Sequence, residues 1–343
     1  MVLVGGHSAR SREVCTELGE KLGCEVEFFH AIDPEPEVRH VNDLIAFLRR
    51  ETKSQVDCVV AVGGGSVIDV AKAAAALAPV TDKADDFFFG RRAIERRGIP
   101  LVALPTTAGT GAEITKNSVL IERASKIKQS IRSIHMIAGA AVCDAELTYC
   151  MPAHLTAHSG MDALTQGIEA FCSRSATDTT RSFALNGIRL IMQYLPRAFA
   201  DGADREARNG MCEGSLWVAL SFSQSSLGAV HGLAHPIGSL LGIAHGLCCA
   251  ILLPHVLELN IRLGAQIIET LAEAIGFHGK VSDLIREIRT FNRQFGIPEN
   301  VAPFGLNREH FEFVLKHCRS SSMRNNPVEL SDDDILNFLE KLC

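Results

Sequence analysis

Residues 61–72 read Ala-Val-Gly-Gly-Gly-Ser-Val-Ile-Asp-Val-Ala-Lys, and this stretch decides the fold. The largely apolar run at 56–62 reads as a strand covered on both faces. Gly63-Gly64-Gly65-Ser66 is a turn, and the Ala-rich run at 67–77 is a helix. Glycines let the backbone approach a ligand closely and adopt positive φ. The helix start adds unpaired N–H groups and a partial positive charge, which suits a pyrophosphate. Ser66 can cap the helix or donate to phosphate. The plainer alternative is a tight strand-to-helix turn in which Asp69 stabilises the first helical turn. The spacing is not the G-x-G-x-x-G fingerprint, so that rule does not apply.

Working outward, 2–4 (Val-Leu-Val) is a strand entering the Gly5-Gly6 turn, and 11–22 has a helical pattern. Residues 25–29 and 101–104 read as further strands, and 44–50 as the end of a helix. Strands alternating with helices predict a parallel sheet with helices on both faces. A second loop rich in glycine and threonine, 104–113 (Leu-Pro-Thr-Thr-Ala-Gly-Thr-Gly-Ala-Glu), also follows a strand. Ligands of open α/β sheets sit at the carboxyl ends of the strands, so two such loops favour a dinucleotide. After about Leu147 the strands give way to helical segments at 153–173, 178–197, 208–226, 229–242, 247–262, 265–276, 280–295, 308–317 and 332–342. The expected organisation is a Rossmann-like α/β dinucleotide-binding domain at 1–149 and an all-α domain for metal and substrate at 150–343.

The chain has 343 residues, 47% hydrophobic and 22% charged, enough for two domains with proper cores. A net charge of −6 gives no basic surface for nucleic acid. The longest apolar stretch, 247–259, is interrupted by Pro254 and His255 and is too short to span a bilayer. There are 11 cysteines and no C-x-x-C, which reads as reduced thiols in a cytoplasm. The adjacent pair Cys248-Cys249 lies in an apolar run and reads as core.

The helical half carries one constellation. Asp162 and Gln166 are four apart on one helix face. His231 and His235 are also four apart, and His245 follows a glycine-containing turn. One carboxylate and several imidazoles on apolar helices make a divalent site, while a single histidine on such a face is usually a core residue. His255 lies deeper in its apolar segment and reads as structural.

GGGSVIDVAK at 63–72, PTTAGTGAE at 105–113, GMDALTQGIEAF at 160–171 and GAVHGLAHPIG at 228–238, followed by His245, resemble the iron-containing alcohol dehydrogenases. The resemblance covers nearly the whole chain and implies the fold shared with dehydroquinate synthase. It implies metal ligation by Asp162, His231 and His245, for Fe2+ or Zn2+, with Gln166 at the position of a fourth ligand. It places His235 beside the nicotinamide as the catalytic histidine. Gly64, Gly65, Ser66, Asp69, Thr106, Thr107, Thr110 and Lys128 are the implied contacts of the dinucleotide, NAD(H) or NADP(H). The implied reaction is hydride transfer between a small alcohol or aldehyde and the nicotinamide, in a homodimer that needs neither nucleic acid nor membrane.

This chain departs from the family at three places. Gln166 stands where the family has a histidine, and an amide oxygen is a poorer partner for iron or zinc than imidazole. His158, four residues before Asp162, is expected at or before the helix start. Gly6 occupies the place of an aspartate that accepts from the ribose, with His7, Ser8, Arg10 and Arg12 nearby, an arrangement that favours NADP(H). The family's lead-in before the first strand is also absent from the sequence, which starts at Met1. Two alternatives follow from these departures: a metal-independent reductase of the maleylacetate reductase type, and a lyase of the dehydroquinate synthase type. The apolar surroundings of Asp162 and His231 disfavour the second. A catalytically silent protein that keeps the fold is a third reading.

Overall fold

In a computed structural model, residues 1–50, 56–277 and 280–343 are described. They form two compact units, Met1–Met151 and Pro152–Cys343.

The first unit is built on a five-stranded sheet: β1 (Val2–Gly6), β2 (Glu27–Ile32), β3 (Val59–Gly63), β4 (Leu101–Pro105) and β7 (Ala140–Ala141), in the order β2-β1-β3-β4-β7. Every pairing in it is parallel. Helices α1 (Ala9–Lys21), α2 (Val38–Arg50), α3 (Gly65–Leu77) and α4 (Ala84–Phe88) connect the strands. Alternation along the strands sorts the core into two layers. Val2, Val4, Val59 and Ala61 pack with α2 and α3, while Leu3, Val60 and Val62 pack with Val14 and Cys15 of α1. All five residues of β1 and of β3 are buried, as a strand covered on both faces requires. Strand order reverses between β1 and β3, which places the glycine turn after β3 at the switch point where such sheets bind ligands.

Sequence reading missed one element of consequence. Strands β5 (Asn117–Glu122) and β6 (Ile127–Arg132) form an antiparallel pair outside the main sheet. Their side chains are mixed polar and apolar without clean alternation, so no period marked them. Strand β7 is two exposed alanines and α4 is five residues, both too short to leave a pattern.

The β5–β6 pair is tied to α3 by a buried ion pair. Lys72 Nζ lies 3.0 Å from Asp69 Oδ1, and its side chain is fully buried. It also donates to Ala112 O at 2.8 Å, to Thr115 O at 3.3 Å, to Thr115 Oγ1 at 3.2 Å and to Asn117 O. Asp69 Oδ2 accepts from Val119 N at 2.9 Å. Burial pushes the Asp69 carboxyl up from its ordinary range, against the opposing pull of Lys72. This clamp fixes the far end of the second glycine-rich loop.

The second unit is helical: α5 (Ala153–Cys172), α6 (Asp178–Ala200), α7 (Arg205–Ser225), α8 (Ala229–Leu241), α9 (His245–Arg262), α10 (Ile267–Ala274), α11 (Val281–Gln294), α12 (Phe311–His317), α13 (Ser321–Arg324) and α14 (Asp332–Glu340). Helix α5 is its axis. It packs on α6, α7 and α9 and is buried almost continuously from Thr156 to its end.

Replacing Lys72 by methionine leaves a carboxylate and three carbonyl acceptors buried without their cation. Lys72→Met is expected to destabilise the protein by about 3–5 kcal/mol, read as a lower denaturant midpoint in chemical unfolding; an unchanged midpoint would contradict the clamp.

Candidate active site

Helix α5 presents Asp162, Gln166 and Glu169 at i, i+4 and i+7, one face of a helix. Helix α8 brings His231 and, one turn later, His235. It ends at Gly242, whose φ of 69° is the left-handed conformation that stops a helix and turns the chain. The chain then enters α9 at His245. Gly246 sits against α5 so closely that a Cβ there would lie 2.3 Å from His158 O. Glycine is needed at this point, and it lets the start of α9 press onto Asp162.

These helices gather four donor atoms. Asp162 Oδ1 is 3.4 Å from His231 Nε2 and 3.9 Å from His245 Nε2. Cys249 Sγ is 3.9 Å from His231 Nε2 and 3.8 Å from His245 Nε2. One ligand atom from each of Asp162, His231, His245 and Cys249 lies within 4.8 Å of the others. Zinc bonds of 2.0–2.3 Å give a tetrahedron with edges of about 3.3–3.8 Å. The observed separations are close to that size. Asp162 Oδ1 is buried and has no hydrogen-bond partner among the described residues. An apolar core does not keep an unpartnered carboxylate oxygen without compensation, so the residues fit a divalent cation.

The groups behind the donors are also set. His231 Nδ1 lies 2.6 Å from Glu169 Oε2. Nδ1 is thus the nitrogen engaged by Glu169, and Nε2 is the one turned to the cluster. The other oxygen of Glu169 accepts from Val230 N at 2.6 Å, at the N-terminus of α8, where the helix dipole favours a negative charge. Gln166 Nε2 donates to Asp162 Oδ2 at 3.0 Å, and Gln166 Oε1 is buried without a partner among the described residues. Burial alone would raise the Asp162 carboxyl, but His245 and His231 hold it below its ordinary range. Burial likewise opposes protonation of His231, and Cys249, Glu169 and Asp162 outweigh it, holding the imidazole well above 6.5. Burial pushes the Cys249 thiol up to about 12.

The predicted residues fall as follows. Asp162, His231 and His245 converge. His235 stands beside them, its ring centroid 5.3 Å from that of His245. Gln166 touches Asp162 with its amide nitrogen. His158 lies inside α5, past its start, contrary to expectation; its ring is 6.1 Å from that of His154, and it is not among the four donors. His255 Nε2 meets Glu299 O at 2.7 Å, a structural contact. Cys249 is fully buried, as its apolar run implied, but its sulfur faces two imidazoles, which the reading as core missed. Its spacing of four from His245 was the available signal. Glu169 was missed too, although it is seven residues from Asp162 on the same face.

In the first unit the two glycine-rich loops meet. A Cβ on Gly64 would lie 3.2 Å from Thr107 Cγ2, and one on Gly65 2.9 Å from Thr110 Cγ2. Thr106 N donates to Gly63 O at 3.0 Å. Gly64 is the N-cap of α3 and brings no side-chain cap, while Ser66 is already inside the helix and does not cap it. Thr107 Oγ1 is buried without a partner among the described residues. An open helix N-terminus beside an unpaired hydroxyl suits a phosphate. Two further predicted contacts are engaged within the protein: Asp69 with Lys72 and Val119, and Lys128 with Glu35.

A family model described as "Iron-containing alcohol dehydrogenase" matches residues 1–145, and one described as "Fe-containing alcohol dehydrogenase family, C-terminal" matches 156–343. The chain is 32% identical to the NAD-dependent methanol dehydrogenase of Bacillus methanolicus over 340 residues, 96% of this chain and 87% of that one. It is 33% identical to the 1,3-propanediol dehydrogenase of Klebsiella pneumoniae, covering 92% and 82% of the two chains. The crystal structure of sulfoacetaldehyde reductase from Bifidobacterium kashiwanohense in complex with NAD+ superposes with a TM-score of 0.91 at 31% identity, over 99% of this chain and 90% of that one.

Glu169 orients His231 through a single hydrogen bond, and such partners typically control 10–100-fold in metal affinity. Glu169→Gln is therefore expected to weaken Zn2+ binding by about that factor in a chelator-competition titration; undiminished affinity would show that His231 is oriented by packing alone.

Proposed function

The chain belongs to the iron-containing alcohol dehydrogenase family and is a nicotinamide-dependent alcohol dehydrogenase or aldehyde reductase, and on that premise we propose how its own residues divide the work. The observation that carries the proposal is the convergence of Asp162 Oδ1, His231 Nε2 and His245 Nε2 in an otherwise apolar helical core. These three side chains hold a divalent ion, with Glu169 keeping His231 in its ligating tautomer. Gly64, Gly65, Ser66, Thr106, Thr107 and Thr110 hold the dinucleotide, its phosphates at the N-terminus of α3. When bound, the nicotinamide gives or takes the hydride and the ion polarises the substrate oxygen. His235 gives or takes the hydroxyl proton, and its place beside His245 supports that role.

The substrate is a small alcohol or aldehyde. Similar proteins named for methanol and 1,3-propanediol support that class. Asp33, directly after β2, supports NAD(H) over NADP(H). Gly6 has no carboxylate, but it pairs with Ile32 in the sheet, and the neighbouring Asp33 lies 3.0 Å from His7. A carboxylate there accepts from ribose hydroxyls and repels a 2′-phosphate. Arg10 is held by Glu13 at 2.9 Å, which weakens its claim on a phosphate. The 11 cysteines are thiols with no disulfide among them, which supports a reducing, cytoplasmic compartment. Exposed Ile134, Ile137 and Val142, close together in sequence, support a self-associating face and hence the homodimer.

The test is aldehyde-dependent oxidation of NADH by the protein before and after chelation. Activity is expected to vanish with the metal and return with Zn2+ or Fe2+; full activity of a metal-free sample would defeat the metal assignment and favour a metal-independent reductase. His235→Asn is expected to lower kcat by about 10²–10⁴-fold with metal content unchanged, and an unaltered kcat would remove His235 from proton transfer.

A further inference from the structure

The family pattern expects a second imidazole one turn after the aspartate, and this chain has Gln166 there. Only the nitrogen of the Gln166 amide is committed, and its oxygen, buried without a partner among the described residues, is a harder and poorer donor for zinc than a thiolate. Gln166 Nε2 donates to Asp162 Oδ2 at 3.0 Å, and reversing the amide would set its oxygen against a carboxylate. Cys249 lies one helical turn after His245 on the same face of α9. It is fully buried, and its sulfur is 3.9 Å from His231 Nε2 and 3.8 Å from His245 Nε2. The helix could fill that volume with any small apolar residue. Beside it, the neighbouring oxygen of Asp162 is buried and unpartnered among the described residues. Four of the separations among these atoms, 3.4, 3.9, 3.9 and 3.8 Å, are close to the edges of a tetrahedral shell, and all the atoms lie within 4.8 Å of one another.

Resting on the metal reading above, we propose that Cys249 supplies the fourth protein ligand that Gln166 does not, making an Asp-His-His-Cys centre that takes Zn2+ in preference to Fe2+ and admits the substrate oxygen as a fifth ligand. On binding, the S–H bond breaks, its proton leaves to solvent and a sulfur–metal bond forms, with no change of oxidation state. Thiolate is the softest donor in the set, and zinc stands above iron(II) in affinity for mixed nitrogen and sulfur ligands. The departure at Gln166 thus changes the kind of metal centre and leaves metal binding intact.

X-ray absorption on the full-length, zinc-loaded protein tests this directly. The expected spectrum has one sulfur neighbour at about 2.3 Å and nitrogen and oxygen neighbours at about 2.0–2.2 Å. In Cys249→Ser the sulfur shell should disappear and zinc affinity should fall by at least about tenfold, since even partners outside the ligand shell control 10–100-fold. In competition with Fe2+, the wild-type protein should retain zinc. A wild-type spectrum with only nitrogen and oxygen neighbours would overturn the role of Cys249 while leaving the three-ligand site standing. Equal zinc affinity in Cys249→Ser would overturn it in the same way. Failure of the wild-type protein to bind zinc while it binds Fe2+ would overturn the role of Cys249 and the zinc preference, and failure to bind either ion would overturn both readings.

Discussion

A carboxylate buried in the middle of an apolar helix, with one oxygen lacking a partner, is the constraint around which the helical unit is organised. Asp162 is 3% exposed, and burying such a charge costs several kcal/mol unless charge and hydrogen bonds are returned to it. The surrounding side chains provide that return. Gln166 donates to one oxygen, while two imidazoles and a thiol face the other. Glu169, a second buried carboxylate one further turn along, is answered by His231 and by the N-terminus of α8. The polar atoms thus form a chain from the helix end through Glu169 and His231 to Asp162. It fixes the orientation of each donor before any ion arrives, which is the preorganisation that a catalytic metal site requires.

The α/β unit follows a different constraint. At the carboxyl end of β3, Gly64 and Gly65 stand where any Cβ would crowd Thr107 and Thr110, which on the proposed reading leaves room for phosphate. The same threonines come from the loop after β4, whose far end is held by Lys72 of α3. One helix therefore presents an open N-terminus, the proposed phosphate site, and sends its interior lysine to the neighbouring loop. Sequence, local structure and binding are joined here by a single segment, Gly65–Leu77.

Much of this was legible in the sequence because periodicity reports burial. The fully buried strands β1 and β3, the Ala-rich α3 and the long helices of the second half left strong patterns. The β5–β6 pair did not, because its stability comes from Asp69 and Lys72 about fifty residues away, a contact that no local window contains. At the candidate site, motif spacing singled out Asp162, His231, His235 and His245, which the fold brings close together. Cys249 was hidden by its composition: a cysteine in an apolar helix is ordinarily packing, and only the fold reveals which face it occupies. Glu169 was hidden because the helix it caps is sixty residues away in sequence.

The central claim is that Asp162, with the imidazoles of His231 and His245, holds one divalent ion in each chain. Calorimetric titration of the metal-free, full-length protein with Zn2+ tests it most directly, with Asp162→Ala as the comparison. The account predicts saturation at one ion per chain in the wild-type protein and loss of that binding in Asp162→Ala. No binding by the wild-type protein, or equal binding by both, would contradict it.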